Sequence, residues 1–179
     1  KKGEDFQFIP PDAALFPTQT YPTSKAVCSL VITQWALEKK VNLKILRLFQ
    51  VYGDGELSTR LWPSLKEKAL TGKNLRMTFG EQIRDFCYVD NAVQANILAA
   101  LSENEIAKGQ VYNISVGNQT SLNKLLSMIH KNIENSIGKN IKIKPIYKDF
   151  RPGDIRHSRA DISKAKKLLN YFPSHNVEQ

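Results

Sequence analysis

The chain has 179 residues, of which 41% are hydrophobic and 24% are charged. This composition is ordinary for a soluble globular protein, and the length suits one compact domain or one and a half small ones. No apolar run approaches the roughly 20 residues of a membrane-spanning helix, and the polar stretch from Lys1 to Asp5 has no apolar signal-peptide region. We therefore expect a cytoplasmic protein that has no membrane partner.

The net charge of +9 comes mainly from lysines that are spread along the chain. Strongly basic proteins often bind nucleic acids, but no single stripe concentrates this charge and no nucleic-acid motif accompanies it. A solvated, lysine-rich surface is the favoured interpretation, with no nucleic-acid partner. Cys28 and Cys87 lie in apolar periodic stretches without the spacing of metal ligands. We expect two buried free thiols in a reducing compartment and no metal site.

Hydrophobic periodicity predicts alternating helices and strands after a proline-rich extended segment. In chain order we expect a helix over 24–39, a strand over 43–49, a helix over 63–70, strands over 75–79 and 85–89, a helix over 90–102, a strand over 111–115, a helix over 122–135, a strand over 141–147 and a last helix that ends at 169. This alternation indicates an α/β protein with a mainly parallel sheet. Such sheets bind ligands beyond the carboxyl ends of their strands, which directs attention to the loops after Phe49 and Ile114.

Cap residues mark the ends of several predicted helices. Asp90, Asp161 and either Thr120 or Ser121 stand where a side-chain oxygen can accept hydrogen bonds from the first free amide groups of a helix. Gly72 stands where the second helix should end, because glycine readily adopts the left-handed conformation that stops a helix.

Tyr21 and Lys25 form the first pair with chemical potential. Residues four apart at a helix start share one face, so the phenol and the ammonium can be neighbours. A free phenol has a pKa of about 10, and a nearby ammonium favours the phenolate. Such a pair could take a proton from a sugar hydroxyl while a hydride leaves the same carbon. Taken alone, the motif has a second interpretation as a solvated helix face.

Five blocks in a fixed order extend this motif over most of the chain. They are Tyr21-Pro22-Thr23-Ser24-Lys25, Arg47-Leu48-Phe49-Gln50-Val51-Tyr52-Gly53, Arg84-Asp85-Phe86-Cys87-Tyr88-Val89-Asp90 with Gly80 to Ile83 before it, Val111-Tyr112-Asn113-Ile114, and Arg151-Pro152-Gly153-Asp154 with Ala160 to Ala165 after it. In these blocks the chain resembles the extended short-chain dehydrogenase/reductase family, and within it the NAD-dependent nucleotide-sugar epimerases and dehydratases. The resemblance is greatest to UDP-N-acetylglucosamine and UDP-glucose 4-epimerases, although the stretch from Gln50 to Ser64 looks more like sugar reductases or dehydratases.

The resemblance implies the C-terminal part of a Rossmann-like parallel sheet together with a small α/β substrate-binding domain. Residues 1–53 and 84–118 would belong to the NAD-binding domain, and residues 54–83 and 119–179 to the substrate domain. The implied cofactor is NAD or NADP, the implied substrate is a nucleotide sugar linked to UDP, and the full-length protein would be a homodimer.

The resemblance also assigns roles to particular residues. Tyr21 and Lys25 match the catalytic pair, which also contacts the cofactor. The substrate-binding positions are Gln50, Arg60, Arg84, Arg151 and Asp154. Arg84 and Arg151 match positions that hold the nucleotide diphosphate, which suits the forked guanidinium group, and Asp154 matches a position that accepts hydrogen bonds from ribose hydroxyls. Gln50 replaces the usual asparagine, so its amide is displaced. Asp85 and Asp90 are expected to stabilise the fold and Tyr112 to lie in the core.

The family's glycine-rich turn, which seats the cofactor pyrophosphate on a helix N-terminus, has no match in this sequence. Gly53-Asp54-Gly55 lacks the third glycine and the helix that should follow. We therefore expect the N-terminal half of the Rossmann fold to be absent, which leaves apolar surface exposed. Two hypotheses follow: the chain is part of a nucleotide-sugar epimerase, dehydratase or ketoreductase that depends on a supplied N-terminal half, or it is a truncated, non-catalytic module that binds nucleotide sugars.

Overall fold

The computed structural model describes residues 8–138, 145–149 and 154–179. Within these ranges the helices are α1 (Thr20–Lys39), α2 (Leu61–Thr71), α3 (Val89–Leu101), α4 (Leu122–Ile137) and α5 (Ser163–Leu169). The strands are β1 (Lys44–Leu48), β2 (Gln50–Tyr52), β3 (Leu75–Met77), β4 (Ile83–Arg84), β5 (Phe86–Tyr88), β6 (Gln110–Ile114), β7 (Thr120–Ser121) and β8 (Pro145–Tyr147), and a short 3-10 helix spans Glu105–Ala107. Of the strand predicted over 141–147, residues 141–144 lie outside the described residues.

Strand pairing is mainly parallel, which confirms the predicted α/β class. The parallel pairs are β1 with β6, β2 with β5, and β3 with β8, whereas β4 and β7 are antiparallel. The strand predicted over 43–49 is β1, and a further strand, β2, follows it beyond the predicted range, because the chain changes its neighbour at Phe49. The Phe49 amide donates to the Ile114 carbonyl at 3.1 Å, and the next amide, that of Gln50, donates to the Asp85 carbonyl at 3.3 Å.

Local sequence accounts for most of the helix ends. Ser121 Oγ accepts a hydrogen bond from the Lys124 amide at 3.1 Å, so it caps α4 as predicted. Gly72 ends α2 with a φ of 65°, a left-handed conformation that carries no strain at glycine. Asp161 Oδ1 accepts from the Ser163 amide at 2.9 Å at the start of α5.

Two predicted helix starts are wrong. The N-cap of α3 is Tyr88, and Asp90 lies inside the first turn, where its charge favours the positive end of the helix without capping it. Helix α1 begins at Thr20 rather than at 24. The physical reason is that Pro22 falls in the first turn of α1, where its missing amide hydrogen costs no helical hydrogen bond.

Two hydrophobic clusters form the interior. The first joins β6 to α3 and α5, and its buried residues are Cys87, Ala92, Ala95, Ala99, Ala107, Tyr112, Ile114, Ala160, Ile162, Ala165, Leu169 and Tyr171. The second lies between α2 and α4, with Leu65, Ala69, Leu75, Phe86 and Leu125 buried. The small alanines of α3 let that helix approach the strands closely. Tyr112 is fully buried, as predicted, and its hydroxyl donates to the Ala107 carbonyl at 2.9 Å.

Helix α1 contributes little to either cluster, since Ala36 is its buried residue. Its apolar side chains are exposed instead, among them Val27, Leu30, Val31 and Leu37. Cys28 lies on this exposed helix, so the prediction that both thiols are buried is wrong for Cys28 and right for Cys87. Periodicity identified an apolar face on this helix but could not show whether the described residues cover it. In the part of the chain that the structure describes, no helix is long and apolar enough to cross a membrane.

Candidate functional site

Tyr21 and Lys25 lie in the first two turns of α1, with Lys25 Nζ 5.4 Å from the centroid of the Tyr21 ring. The turn is held by two side-chain hydrogen bonds to the backbone, from Thr23 Oγ1 to the Gln19 carbonyl and from Ser24 Oγ to the Tyr21 carbonyl, both at 2.8 Å. The Tyr21 side chain is 72% exposed. The phenol and the ammonium are therefore neighbours on an open surface, where a ligand can reach both.

An open groove runs along the same end of α1. It is lined by residues 17–20 and by Thr23, Ser24, Val27, Cys28 and Val31. Hydroxyl groups and apolar side chains alternate on its walls, a composition that suits a ligand with both polar and apolar parts. Neither Tyr21 nor Lys25 lines the groove itself, so the pair stands at its rim.

Arg84 and Asp154 are brought together from positions 70 residues apart. Arg84 Nη2 donates to Asp154 Oδ1 at 2.9 Å, while Nη1 donates to the carbonyls of Ile83 at 2.9 Å and Ile155 at 2.6 Å. These bonds hold the guanidinium plane in one orientation. Among the bonds to residues that the structure describes, none uses the Nε–H group, which can donate to an oxygen of a ligand such as a phosphate.

Gln82 binds the other oxygen of the Asp154 carboxylate. Gln82 Nε2 donates to Asp154 Oδ2 at 2.9 Å and also contacts Thr78 Oγ1. The Gln82 side chain is buried, and its Oε1 atom has no hydrogen-bond donor among the described residues. Sequence reasoning did not single out Gln82, although it lies in the block from Gly80 to Asp90 that carried the resemblance.

Burial and charge act in opposite directions on this pair. Burial lowers the pKa of Arg84, and the charge and hydrogen bond of Asp154 raise it. Arginine remains protonated at neutral pH even when it is partly buried. Arg84 therefore keeps its positive charge beside the Asp154 carboxylate. The guanidinium can bind an anion, and the carboxylate can accept a hydrogen bond from a neighbouring hydroxyl.

Asp85 anchors the strand that carries Arg84, in the structural role expected for it. Its carboxylate is fully buried and accepts hydrogen bonds from Ser115 Oγ at 2.6 Å, from the Gly117 amide at 3.1 Å and from the Ala160 amide at 2.9 Å. Burial raises the pKa of the Asp85 carboxyl, against the lowering effect of these hydrogen bonds. Asp85 thus ties its own segment to the loop after β6 and to the segment at Ala160, and it fixes the position of Arg84.

Gln50 is the first residue of β2, and Arg60 lies beyond that strand, directly before α2. Gln50 is half-buried and lies opposite Phe86 in the pairing of β2 with β5. Arg60 precedes α2, with Nε 3.6 Å from Glu56 Oε1 and a side chain that is 58% exposed. The Glu56 side chain is only 11% exposed, so this pair joins a largely buried carboxylate to an exposed guanidinium.

Arg151 lies outside the described residues. Close to it in sequence, Tyr147 stacks on Phe79 with ring centroids 6.3 Å apart and an angle of 15° between the planes. These two rings line an open groove together with Lys148 and Asp149. Sequence reasoning did not single out either aromatic residue.

Taken together, the predicted site residues form separate groups. The structure joins Tyr21 to Lys25 and Arg84 to Asp154. Among the residues that the structure describes, no hydrogen bond or ion pair links the first group to the second. In the same ranges, no cluster of three or more His, Cys, Asp or Glu side chains is placed to hold a metal ion.

Comparison with known proteins shows the family. The model of the NAD dependent epimerase/dehydratase family matches residues 4–115. An uncharacterized UDP-glucose epimerase of Bacillus subtilis is 28% identical over 98% of this chain, and the UDP-glucuronate 4-epimerase of Thermodesulfobacterium geofontis is 30% identical over 91% of it. The crystal structure of the UDP-glucuronic acid 4-epimerase of Bacillus cereus, in complex with UDP-glucuronic acid and NAD, matches 97% of the chain with a TM-score of 0.85 and 26% identity.

The chain therefore belongs to the NAD-dependent epimerase/dehydratase family, the extended short-chain dehydrogenase/reductases that the five sequence blocks indicated. It spans about half the length of the relatives that it matches: 54% of the Bacillus subtilis protein, 48% of the Thermodesulfobacterium protein and 53% of the Bacillus cereus structure. The fold described above is accordingly part of a Rossmann-like domain with its neighbouring α/β elements.

Proposed function

We propose that this chain supplies the catalytic pair and the nucleotide-sugar pocket of an NAD-dependent 4-epimerase. The substrate would be a UDP-hexose or a UDP-N-acetylhexosamine. The observation that carries the proposal is the Arg84–Asp154 pair, in which a partly buried guanidinium is oriented at 2.9 Å by a carboxylate from a distant segment. The UDP-sugar epimerases among the relatives support the same class of substrate.

In this proposal the two halves of the substrate meet different residues. Arg84, with Arg151, neutralises the diphosphate through its free donors, and Asp154 accepts from the ribose hydroxyls. In this proposal Gln50, just beyond the carboxyl end of β1, and Arg60, in the loop after β2, face the sugar end. Gln50 can offer both a donor and an acceptor to a sugar hydroxyl.

Tyr21 is the proposed base. Its phenolate oxygen takes the proton from the hydroxyl at C4, and the ammonium of Lys25 stabilises the negative charge of the phenolate. When bound, NAD supplies the acceptor for the hydride that leaves C4 and the donor that returns it to the other face. Tyr21 then returns its proton to the oxygen of the inverted alcohol. The exposed Tyr21–Lys25 surface and the adjoining groove fit a cofactor that both residues contact, and NADP in place of NAD is equally compatible with them.

We further propose the domain division that the resemblance implied. Residues 1–53 and 84–118 would form part of the NAD-binding domain, and residues 54–83 and 119–179 the substrate domain. The second hydrophobic cluster supports this division, since its buried residues other than Phe86 lie in 54–83 and 119–179. The first cluster combines residues of both parts. Helix α5 packs on β6 in the first cluster, so under this proposal it is the element that joins the two domains.

A homodimer of the full-length protein belongs to the same proposal. The exposed apolar side chains of α1, such as Leu30 and Leu37, support a face that another chain segment covers. Light scattering on the protein purified from its source tests it: twice the monomer mass is expected, and a monomer at micromolar concentration contradicts it.

Two other functions use the same residues. A nucleotide-sugar 4,6-dehydratase or 4-ketoreductase would use the same keto intermediate. A non-catalytic binding module would use the Arg84–Asp154 pocket without Tyr21.

The experiment is a Tyr21→Phe substitution at the chromosomal locus, followed by purification of the protein and assay with NAD and UDP-hexoses. We expect turnover to fall by about 100-fold or more, the contribution typical of a general base, while the affinity for the UDP-sugar stays within about twofold. Gln34→Ala, an exposed position farther along α1 that does not line the groove, serves as the control and should leave turnover unchanged. Unchanged turnover in Tyr21→Phe would rule out the proposed base, and sugar binding without any turnover in the wild type would favour the non-catalytic module.

A further inference from the structure

Residues 174–178 connect several elements near the second hydrophobic cluster, against which Val177 packs. The segment is closed on itself by a turn, in which the Asn176 amide donates to Gln179 Oε1 and the Glu178 amide donates to Asn176 Oδ1, both at 2.8 Å. We call residues 174–178 the strap. Its contacts lie on three different elements, namely α3, β2 and α4.

Asn91 fastens the strap to α3. This asparagine has no exposed surface, and its amide is satisfied almost entirely by the backbone of the strap. Asn91 Oδ1 accepts from the amides of Ser174 at 2.8 Å and His175 at 3.2 Å, and Nδ2 donates to the His175 carbonyl at 2.7 Å. Because the buried amide of Asn91 binds backbone groups, it holds the strap in place whatever the side chains of the strap are.

Tyr52 and Lys124 receive the other end of the strap. Tyr52 Oη donates to the Asn176 carbonyl at 3.4 Å, and Lys124 Nζ donates to Glu178 Oε1 at 2.8 Å. Between these contacts, Val177 packs against the second cluster. Burial raises the pKa of Tyr52 to about 12, so its hydroxyl stays a donor throughout the neutral range.

Tyr52 connects the strap to the start of α2. Its ring stacks on that of Trp62, with centroids 4.3 Å apart and an angle of 12° between the planes. Trp62 is the second residue of α2, directly after the loop over 53–60. Gln50 and Tyr52 are two apart on β2, so their side chains point to the same face of the strand.

From these contacts we infer that the strap holds the loop over 53–60 and the start of α2 in place, with Asn91 as the positioning residue that fastens it. The inference rests on the proposed function only in one respect, that the Gln50 side of β2 faces the sugar. The inference predicts that a substitution of Asn91, on α3, alters the stability of the loop over 53–60, which Asn91 does not contact.

Hydrogen exchange measured by mass spectrometry on the full chain tests the strap. Asn91→Asp keeps the size of the side chain but replaces the donor that faces the His175 carbonyl by a carboxylate oxygen. We expect exchange to rise about tenfold at residues 174–178 and also at 57–66, where the Arg60 and Ser64 amides are bonded locally, and to stay unchanged at the far end of α4. A rise confined to 174–178 would overturn the inference.

Two further variants keep this test decisive. Tyr52→Phe removes only the hydroxyl that contacts Asn176, and it should raise exchange at 57–66 by about threefold even if Asn91→Asp fails to fold. Lys124→Ala removes the exposed outer ion pair with Glu178 and serves as the control, with no change expected at 57–66. Unchanged exchange at 57–66 in Tyr52→Phe overturns the inference.

A binding measurement separates positioning from general destabilisation. Affinities for UDP and for UDP-glucose are compared in the wild type and in Asn91→Asp. We expect the affinity for UDP to be unchanged and the additional affinity for the sugar to fall by about fivefold or more, because the loop lies on the sugar side. Equal loss for both ligands would contradict a positioning role. If the wild type binds neither ligand, the proposed function is contradicted. The hydrogen-exchange experiment still tests whether the strap holds the loop over 53–60.

Discussion

Asp85 is expected to contribute more to the stability of the fold than any exposed charge near it. Its carboxylate is fully buried and receives hydrogen bonds from Ser115, Gly117 and Ala160, three positions that no secondary-structure element joins directly. A buried acceptor of this kind is stabilising only while all its donors are paired, since an unpaired buried amide costs about 1–3 kcal/mol. Replacement of the carboxylate therefore has a larger effect than removal of an exposed ion pair.

We predict that Asp85→Asn lowers the free energy of unfolding by about 2–4 kcal/mol, because the new NH2 group faces amide donors instead of accepting from them. Urea denaturation followed by circular dichroism measures the change. Asp90→Asn, an exposed substitution in the first turn of α3, is the matched control and should cost less than about 1 kcal/mol. Similar losses in the two variants would show that the buried contacts of Asp85 carry no special weight.

The ionisation of Asp85 also gives a pH dependence. Burial raises the pKa of Asp85 in the folded chain above its value in the unfolded chain. The contribution of this group to stability is then fully present at a pH below the unfolded pKa and is lost as the pH rises through the raised folded pKa. The stability of the wild type relative to Asp85→Asn should therefore decrease as the pH rises from below the unfolded pKa through the folded pKa of Asp85. A difference that grows with pH would contradict the direction of the pKa shift.

The two thiols should differ sharply in reactivity. Burial raises the pKa of Cys87 to about 11, whereas Cys28 is exposed on α1. Because the thiolate is the reactive form, we expect a disulfide reagent to modify Cys28 rapidly in the folded chain and Cys87 only after denaturation. Mass spectrometry of the modified chain gives the count, and Cys28→Ser should abolish the fast phase. Rapid modification of Cys87 in the folded chain would be inconsistent with the first hydrophobic cluster.

At the scale of elements, helix α4 shows how far short-range sequence determines structure. Its start follows from Ser121, whose side chain accepts from the Lys124 amide, and its end from Gly138 in the left-handed conformation. Such signals need only a few neighbouring residues, so they could be predicted from the sequence, as could Gly72 at the end of α2. The start of α1 and the role of Asp90 were mispredicted because several adjacent residues could have begun each helix.

The cap of α4 is a prediction at this scale. Ser121→Ala should lower the free energy of unfolding by about 1 kcal/mol, the usual value of an N-cap hydrogen bond. Ser127→Ala lies on an exposed turn of the same helix, where Ser127 Oγ donates to the Asn123 carbonyl, and it should be neutral or slightly stabilising because alanine has the higher helix propensity. Thermal unfolding of both variants makes the comparison, and equal melting temperatures would refute the role of the cap.

At the scale of the whole molecule, the long-range contacts were the least predictable. The Arg84–Asp154 bond joins positions 70 residues apart, and the Tyr52–Asn176 bond joins positions 124 apart. Residue spacing does not reveal such contacts. The resemblance to a family named Arg84 and Asp154 as parts of one pocket, but it gave no sign of Gln82 or of the strap, which emerge only when the chain is folded. The exposure of Cys28 could not be predicted from hydrophobic periodicity either, because the pattern identifies an apolar helix face without showing what covers it.

The central claim is that Arg84 holds the diphosphate of a nucleotide sugar, and calorimetric titration of the chain with UDP tests it most directly. We predict that the wild type binds UDP and that Arg84→Ala weakens binding by about 10- to 100-fold, the effect of losing a charge-assisted hydrogen bond. Arg76→Ala, an exposed arginine on β3, is the matched control for the loss of one positive charge and should bind as the wild type does. Binding of UDP that survives Arg84→Ala unchanged would contradict the account.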